Sequence, residues 1–144
     1  MVSKPDEQVE ALSNELVVLS ARLVREVRRN HRETAPASLR VMSLVDELGP
    51  STVSALAEAD RCSQPTMTGL VNGLAERGWL ERRARPDDAR SSLVSMTEQG
   101  RAALDDVRRR NAALVAERIT ASGHTREELA TAVALLADVL DPIL

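Results

Sequence analysis

Apolar residues recur every three or four positions over most of the chain, the period of an amphipathic helix. The longest such stretch, residues 7–32, is apolar on more than one face, so this helix requires several packing partners. A second helical stretch follows Ala35-Pro36, with Ser38 as its predicted N-cap and Gly49-Pro50 at its end. The pattern therefore predicts a long helix followed by a shorter one.

Two short helices and a hairpin are predicted in the middle of the chain. The first short helix covers residues 53–59. Ser63 caps the second, Pro65 lies in its first turn, where a missing backbone N–H costs little, and Gly78 ends it. Residues 79–82 and 92–96 read as short strands on either side of a turn-forming Pro-Asp-Asp, which is typical of a hairpin.

The remainder of the chain predicts two further helices. One opens after Thr97 and runs to about Ala121, and the last begins at a capping box formed by Thr125 and Glu128. Two short helices joined by a tight turn and followed by a hairpin form a winged helix-turn-helix, in which the second helix enters the DNA major groove. We therefore predict a mainly α fold with a small β-hairpin wing.

Charge is distributed unevenly along the 144 residues. The formal net charge is -3, yet the segment from Arg61 to Arg90 holds six arginines against four acids. Nucleic-acid binding depends on such local surpluses more than on the total charge. Because 43% of the residues are apolar and only 1% are aromatic, the core must consist mostly of Leu, Val and Ala, which favours packed helices.

The residues needed for catalysis or metal binding are sparse. His31 and His124 are isolated, no paired-cysteine motif occurs, and no glycine-rich phosphate loop precedes a helix, so we expect no enzyme activity, no metal and no cofactor. The single cysteine, Cys62, and the lack of a signal peptide or a membrane-spanning apolar run predict a reducing, cytoplasmic location and no membrane partner.

Several short motifs stand in register between about Leu39 and Gly100. They lie within GPSTVSALAEADRCSQPTMTGLVNGLAERGWLERRARPDDARSSLVSMTEQG: the SQPT helix start, the L-x-x-R-G-W-L transition, the D-x-R wing and the M-T-x-x-G exit. Together they make the chain similar to the MarR family of transcriptional regulators. The resemblance implies a homodimer, with residues 1–35 and 101–144 as a helical dimerisation region and residues 36–100 as the winged helix-turn-helix DNA-binding region.

The same resemblance implies a sequence-specific regulator, a repressor of a pseudo-palindromic double-stranded operator that a small anionic or aromatic effector releases. The helix over residues 64–76 offers polar side chains suited to base edges and phosphates. By resemblance, Arg90 enters the minor groove and Asp88 orients it. The predicted DNA-contacting residues are Ser38, Arg40, Ser63, Gln64, Pro65, Thr66, Thr68, Gly69, Asn72, Arg77, Arg82, Arg83, Arg85, Asp88 and Arg90.

Four positions depart from the family pattern. Gly69 and Gly73 stand where bulky or basic residues are usual, and each glycine costs a helix about 1 kcal/mol relative to alanine. Either close approach of the backbone to DNA offsets this cost, or recognition is weaker than in relatives. Arg85 and Ala89 replace a more usual acid and arginine, so this wing has its own contact pattern.

Other interpretations remain open at the level of the sequence. Arg28, His31 and Arg32 are effector contacts by resemblance in position, although a solvated helix end explains them equally well. The chain is alternatively a winged-helix module for protein–protein contacts without specific DNA binding, or a thiol-based redox regulator through Cys62. The redox alternative is weak because no second cysteine is present to resolve a sulfenic acid.

Overall fold

The computed structural model describes residues 4–30, 33–88 and 90–141, and over these residues it contains six helices and one antiparallel hairpin. In chain order the elements are α1 (Glu7–Arg28), α2 (Pro36–Leu48), α3 (Val53–Asp60), α4 (Gln64–Glu76), β1 (Leu80–Ala84), β2 (Ser92–Met96), α5 (Glu98–Ala121) and α6 (Arg126–Leu140). The predicted order and the mainly α class with a β-hairpin wing are confirmed.

Most of the predicted helix ends are confirmed because they depend on local chemistry. Ser63 caps α4, Gly78 follows its end with a φ of +77°, and Thr125 with Glu128 forms a capping box at α6. α1 is shorter than predicted and ends at Arg28, and the Asn30 N–H bonds to the Val27 carbonyl in a tightened last turn.

The prediction of Ser38 as the N-cap of the second helix was wrong. α2 begins at Pro36, its N-cap is Ala35, and Ser38 lies inside the first turn. The proline ring fixes φ near the helical value and brings no N–H that needs a partner, so Pro36 starts the helix before Ser38 is reached.

The chain divides into two compact units, residues 1–108 and 109–144. In the first unit, one core joins α2, α3, α4, both strands and the start of α5. Its buried residues are Val41, Met42, Val45, Leu56, Ala57, Met67, Val71, Leu74, Leu80, Val94 and Leu104. This core holds the two helices of the helix-turn-helix and the hairpin in one arrangement.

The hairpin is attached to the rest of this unit along one edge. Leu80 pairs with Met96 at its base and Ala84 with Ser92 near its tip. Ser51, in the turn before α3, makes an isolated bridge with Val94, in which the Ser51 N–H donates to the Val94 carbonyl at 3.0 Å and the Val94 N–H returns the bond at 2.7 Å. The wing is therefore held by backbone hydrogen bonds as well as by its turn.

The terminal helices are different in character. Both are fully described, and neither contains a buried residue. Large apolar side chains are exposed along them: Val9, Leu12, Val17, Val18, Leu19, Leu23 and Val24 on α1, and Leu129, Val133, Leu135, Val139 and Leu140 on α6. Across the described residues, no helix has the length and hydropathy that crossing a bilayer would require.

Candidate nucleic-acid interface

The orientation of α4 follows from its apolar residues. Met67, Val71 and Leu74 recur at helical spacing and are buried, so the opposite face is turned outward. At its start the Thr66 N–H donates to Ser63 Oγ at 3.2 Å, which satisfies one of the free amides of the first turn. The helix is thus fixed at its N-terminus and along its inner face.

The outward face of α4 carries the residues predicted to contact DNA. Gln64, Pro65, Thr66, Gly69 and Asn72 are exposed. A Cβ added to Gly69, or to Gly73 one turn further on, would meet nothing within 4 Å. Packing within the chain therefore does not require glycine at either position.

The tip of the wing is ordered by backbone hydrogen bonds around Asp88. Asp88 Oδ1 accepts from the Arg90 N–H at 3.0 Å, and the Asp88 carbonyl accepts from the Ser91 N–H at 3.3 Å. The Arg85 N–H also donates to the Ser91 carbonyl at 3.2 Å. The Asp88 side chain therefore contacts the main chain of Arg90, while Ala89 lies outside the described residues.

A cleft of about 290 Å³ lies between the wing and the starts of α3 and α4. It brings together four of the predicted residues: Gln64, Thr68, Arg82 and Arg90. It also contains residues that sequence reasoning missed: Thr52, Val53, Ser54, Ser91 and Ser92. Thr52 could have been identified as the N-cap of α3, but the serines of the wing enter the cleft only because the hairpin folds against α3 and α4.

The cleft has the chemistry of an anion-binding surface. Its described lining residues include two arginines and no acid. Ser91 Oγ is buried and has no hydrogen-bond partner among the described residues. The N-terminus of α3 adds a positive end of a helix dipole, so the arrangement suits a phosphate oxygen.

Two side-chain hydrogen bonds connect the elements around this cleft. Gln64 Nε2 lies 2.8 Å from Ser54 Oγ, which links α4 to α3. Arg82 Nη2 donates to Asn72 Oδ1 at 2.7 Å, which links β1 to α4. These bonds set the position of the wing relative to the outward face of α4.

Other predicted DNA contacts have partners within the chain. Arg77 stacks on the Trp79 ring with its guanidinium carbon 3.7 Å from the ring centroid. Arg83 pairs with Glu81 at 2.9 Å, and Arg85 approaches Asp87 at 3.6 Å. These exposed pairs are weak enough to exchange for phosphate contacts.

Arg40 is held more firmly than the wing arginines. It binds both oxygens of Asp60, with Nε at 2.5 Å from Oδ1 and Nη2 at 3.1 Å from Oδ2, and the Asp60 side chain is only 4% exposed. This hydrogen bond lowers the pKa of Asp60 and raises the pKa of Arg40. Arg40 therefore joins α2 to the end of α3, whatever else it contacts.

Cys62 has the surroundings of a packing residue. It is half-buried against the core, and this burial together with the Asp60 carboxylate raises the pKa of its thiol. Redox-sensing cysteines need the opposite shift, because the thiolate is the reactive form. The structure gives no support to the redox alternative.

Of the three predicted effector contacts, Arg28 alone lies within the described residues. Arg28 is half-buried at the end of α1, whereas His31 and Arg32 lie outside the described residues. Ser38, also predicted to contact DNA, is half-buried in the first turn of α2.

Known proteins that are similar in sequence to this chain are transcriptional regulators of the helix-turn-helix type. The model of the MarR family matches residues 35–92. An uncharacterized HTH-type transcriptional regulator of Mycobacterium leprae is 31% identical over 134 residues, which cover 90% of this chain and 93% of the relative. An HTH-type transcriptional regulator of Mycobacterium tuberculosis is 32% identical with the same coverage.

Solved structures share the fold over nearly the whole chain. A putative transcriptional regulator from Pseudomonas aeruginosa has a TM-score of 0.76 at 27% identity and covers 95% of this chain and 99% of its own. A mutant MarR from E. coli complexed with operator DNA has a TM-score of 0.62 at 21% identity and covers 96% and 99%. The family match, the relatives and the winged helix-turn-helix described above lead to one conclusion. The chain belongs to the MarR family of transcriptional regulators.

Proposed function

We propose that this protein is a homodimeric, sequence-specific DNA-binding repressor that a small anionic or aromatic effector releases from a pseudo-palindromic operator. The observation that carries the proposal is the acid-free cleft in which Arg82 and Arg90 of the wing meet the polar start of α4. Such a cleft binds the phosphate backbone, while the outward face of α4 reads bases.

Each part of the surface contacts a different region of the DNA duplex. α4 enters the major groove, where its exposed polar side chains reach base edges. Arg90 at the wing tip enters the adjacent minor groove, and Arg82 in the cleft contacts the backbone between the two. A mutant MarR from E. coli that has the same fold is complexed with operator DNA, which supports DNA binding by this chain.

Salt-dependent binding tests the DNA contacts. Operator fragments are first selected from genomic DNA with the purified protein, and fluorescence anisotropy then measures affinity from low to high salt. Arg90→Ala should weaken binding and reduce the salt slope by about one unit for each phosphate that the variant no longer neutralises. Binding that is insensitive both to salt and to Arg90→Ala would instead favour the protein–protein module.

The exposed apolar faces of α1 and α6 support the homodimer. Association with a second copy of the chain would bury these side chains, among them Leu12, which is 65% exposed. In a dimer the two α4 helices would address half-sites about one DNA turn, roughly 34 Å, apart. Sedimentation analysis should show a dimer for the natural protein and for Glu15→Gln, but a monomer for Leu12→Glu.

The effector is tested by its effect on DNA binding. A panel of small aromatic carboxylates is added to the protein–operator complex, and release is followed by anisotropy. An active compound should lose potency in an Arg28→Ala variant that still binds the operator. If no compound releases the protein from the operator, the proposed effector control is wrong. The proposed DNA binding would still stand.

A further inference from the structure

One hydrogen bond determines which atoms Asn72 can offer to DNA. Arg82 Nη2 lies 2.7 Å from Asn72 Oδ1. The guanidinium group has only donors, so the Asn72 atom that faces it must be the carbonyl oxygen and not the amide nitrogen. The amide NH₂ of Asn72 is thereby left as the group available to other partners.

Asn72 lies where its amide group can be reached from outside the protein. Asn72 is exposed on the outward face of α4, opposite the buried Val71 and Leu74. Gly69, three residues earlier on the same face of the helix, carries no side chain, so the short Asn72 side chain is not screened on that side. A base edge that approaches Asn72 from the side away from Arg82 will therefore meet the two N–H donors of the amide.

The other polar residues on this face are not oriented in the same way. Thr66 Oγ1 lies 2.7 Å from Ser63 Oγ, and Gln64 bonds to the hydroxyl of Ser54. Hydroxyl groups both donate and accept, so these bonds leave the polarity of Thr66 and Gln64 undetermined. Asn72 differs because its partner is a cation with donors only.

We propose that Asn72 selects guanine at one position of each operator half-site, and that Arg82 is the positioning residue that sets this choice. An asparagine with a free carbonyl pairs with adenine, accepting from N6 and donating to N7. With the carbonyl engaged by Arg82, the NH₂ group instead matches guanine, which presents two acceptors, N7 and O6, in the major groove. This inference rests on the proposed DNA-binding function.

Selection from a random DNA pool tests the inference on the full-length protein. Asn72→Ala should relax selection at one base pair of the half-site and leave the other positions unchanged, which identifies the base that Asn72 contacts. At that base pair the natural protein should prefer guanine over adenine by about fivefold or more, in line with the discrimination of a good base contact. Arg82→Ala should reverse the preference toward adenine, because it frees the Asn72 carbonyl.

Arg83→Ala is the matched control, because it removes a neighbouring wing arginine that pairs with Glu81 instead of Asn72. It should lower overall affinity but keep guanine at the position identified. Thermal melting of both variants verifies that they are folded, and a general loss of folding cannot reverse a preference at one base pair.

The outcomes are distinct. If Asn72→Ala relaxes no position, if the natural protein selects adenine there, or if Arg82→Ala leaves guanine preferred, the inference is overturned while specific DNA binding stands. If the natural protein enriches no sequence at all, the proposed function itself fails.

Discussion

Gly100 in the first turn of α5 lies directly against the backbone of Trp79. A Cβ added to Gly100 would overlap the Trp79 carbonyl oxygen and lie 2.8 Å from its carbonyl carbon. Thr97 completes the junction, because its hydroxyl donates to the Gly78 carbonyl at 2.5 Å and accepts from the Gly100 N–H at 3.0 Å. The M-T-x-x-G motif therefore joins the base of the wing to α5.

Gly100→Ala should be strongly destabilising. The backbone of Trp79 cannot move aside as a flexible side chain would, so we expect a loss of about 3 kcal/mol in the free energy of unfolding. Urea denaturation followed by circular dichroism measures this. Gly69→Ala serves as the control, because that position is open; equal effects of the two substitutions would contradict the close contact at Gly100.

Replacing either Gly69 or Gly73 with alanine should stabilise the protein and weaken its binding to DNA. Each substitution should stabilise α4 by about 1 kcal/mol, since alanine is the better helix former and its methyl group meets nothing. Operator affinity, measured by anisotropy, should fall if the α4 backbone approaches DNA closely. Unchanged affinity would place this strip of α4 away from the groove floor.

The ionisation of Asp46 should make the stability of the folded protein depend on pH in the acid range. Hydrogen bonds from Arg101 and Arg108 of α5 hold the pKa of this α2 carboxyl below its usual value. Because the folded-state pKa is lowered, the stabilisation is fully present above the unfolded value of about 3.9 and is lost as the pH falls through the folded-state pKa.

Asp46→Asn should therefore lower Tm by a few degrees at neutral pH. Its difference from the natural protein should shrink when the pH falls below about 4, as the natural carboxyl becomes protonated. Thermal melts over a pH series measure both effects, with Glu47→Gln as the control on the neighbouring exposed acid. A difference that stays constant down to the lowest pH would show that the charge of Asp46 does not matter.

Arg40→Ala should affect stability more than DNA affinity. It leaves the nearly buried Asp60 carboxylate without its bidentate partner, which should cost about 1–3 kcal/mol. Denaturant unfolding and operator titration on the same preparation separate the two effects. Arg40→Lys keeps the charge but not the bidentate geometry, so it should be intermediate in stability; a loss of affinity as large as that of Arg90→Ala would assign Arg40 to the DNA surface.

Local signals in the sequence predicted much of the fold. Ser63, Gly78 and the Thr125–Glu128 box marked helix ends correctly, because a cap is a contact between residues a few positions apart. The failure at Ser38 was also local, since Pro36 offered an earlier start. The family motifs likewise follow from short spacings, and Gly100 shows one of them to be a steric requirement.

The pairing of distant side chains was decided only by the tertiary structure. Arg40 and Asp60 are twenty residues apart, and Arg108 and Asp46 are sixty-two apart. The cleft around Arg82 and Arg90 likewise exists only after the hairpin has folded against α3 and α4. Hydrophobic spacing in the sequence determined which faces of α2, α3 and α4 are buried. How the helices and the wing pack against one another determined which arginines pair with acids and which line the cleft.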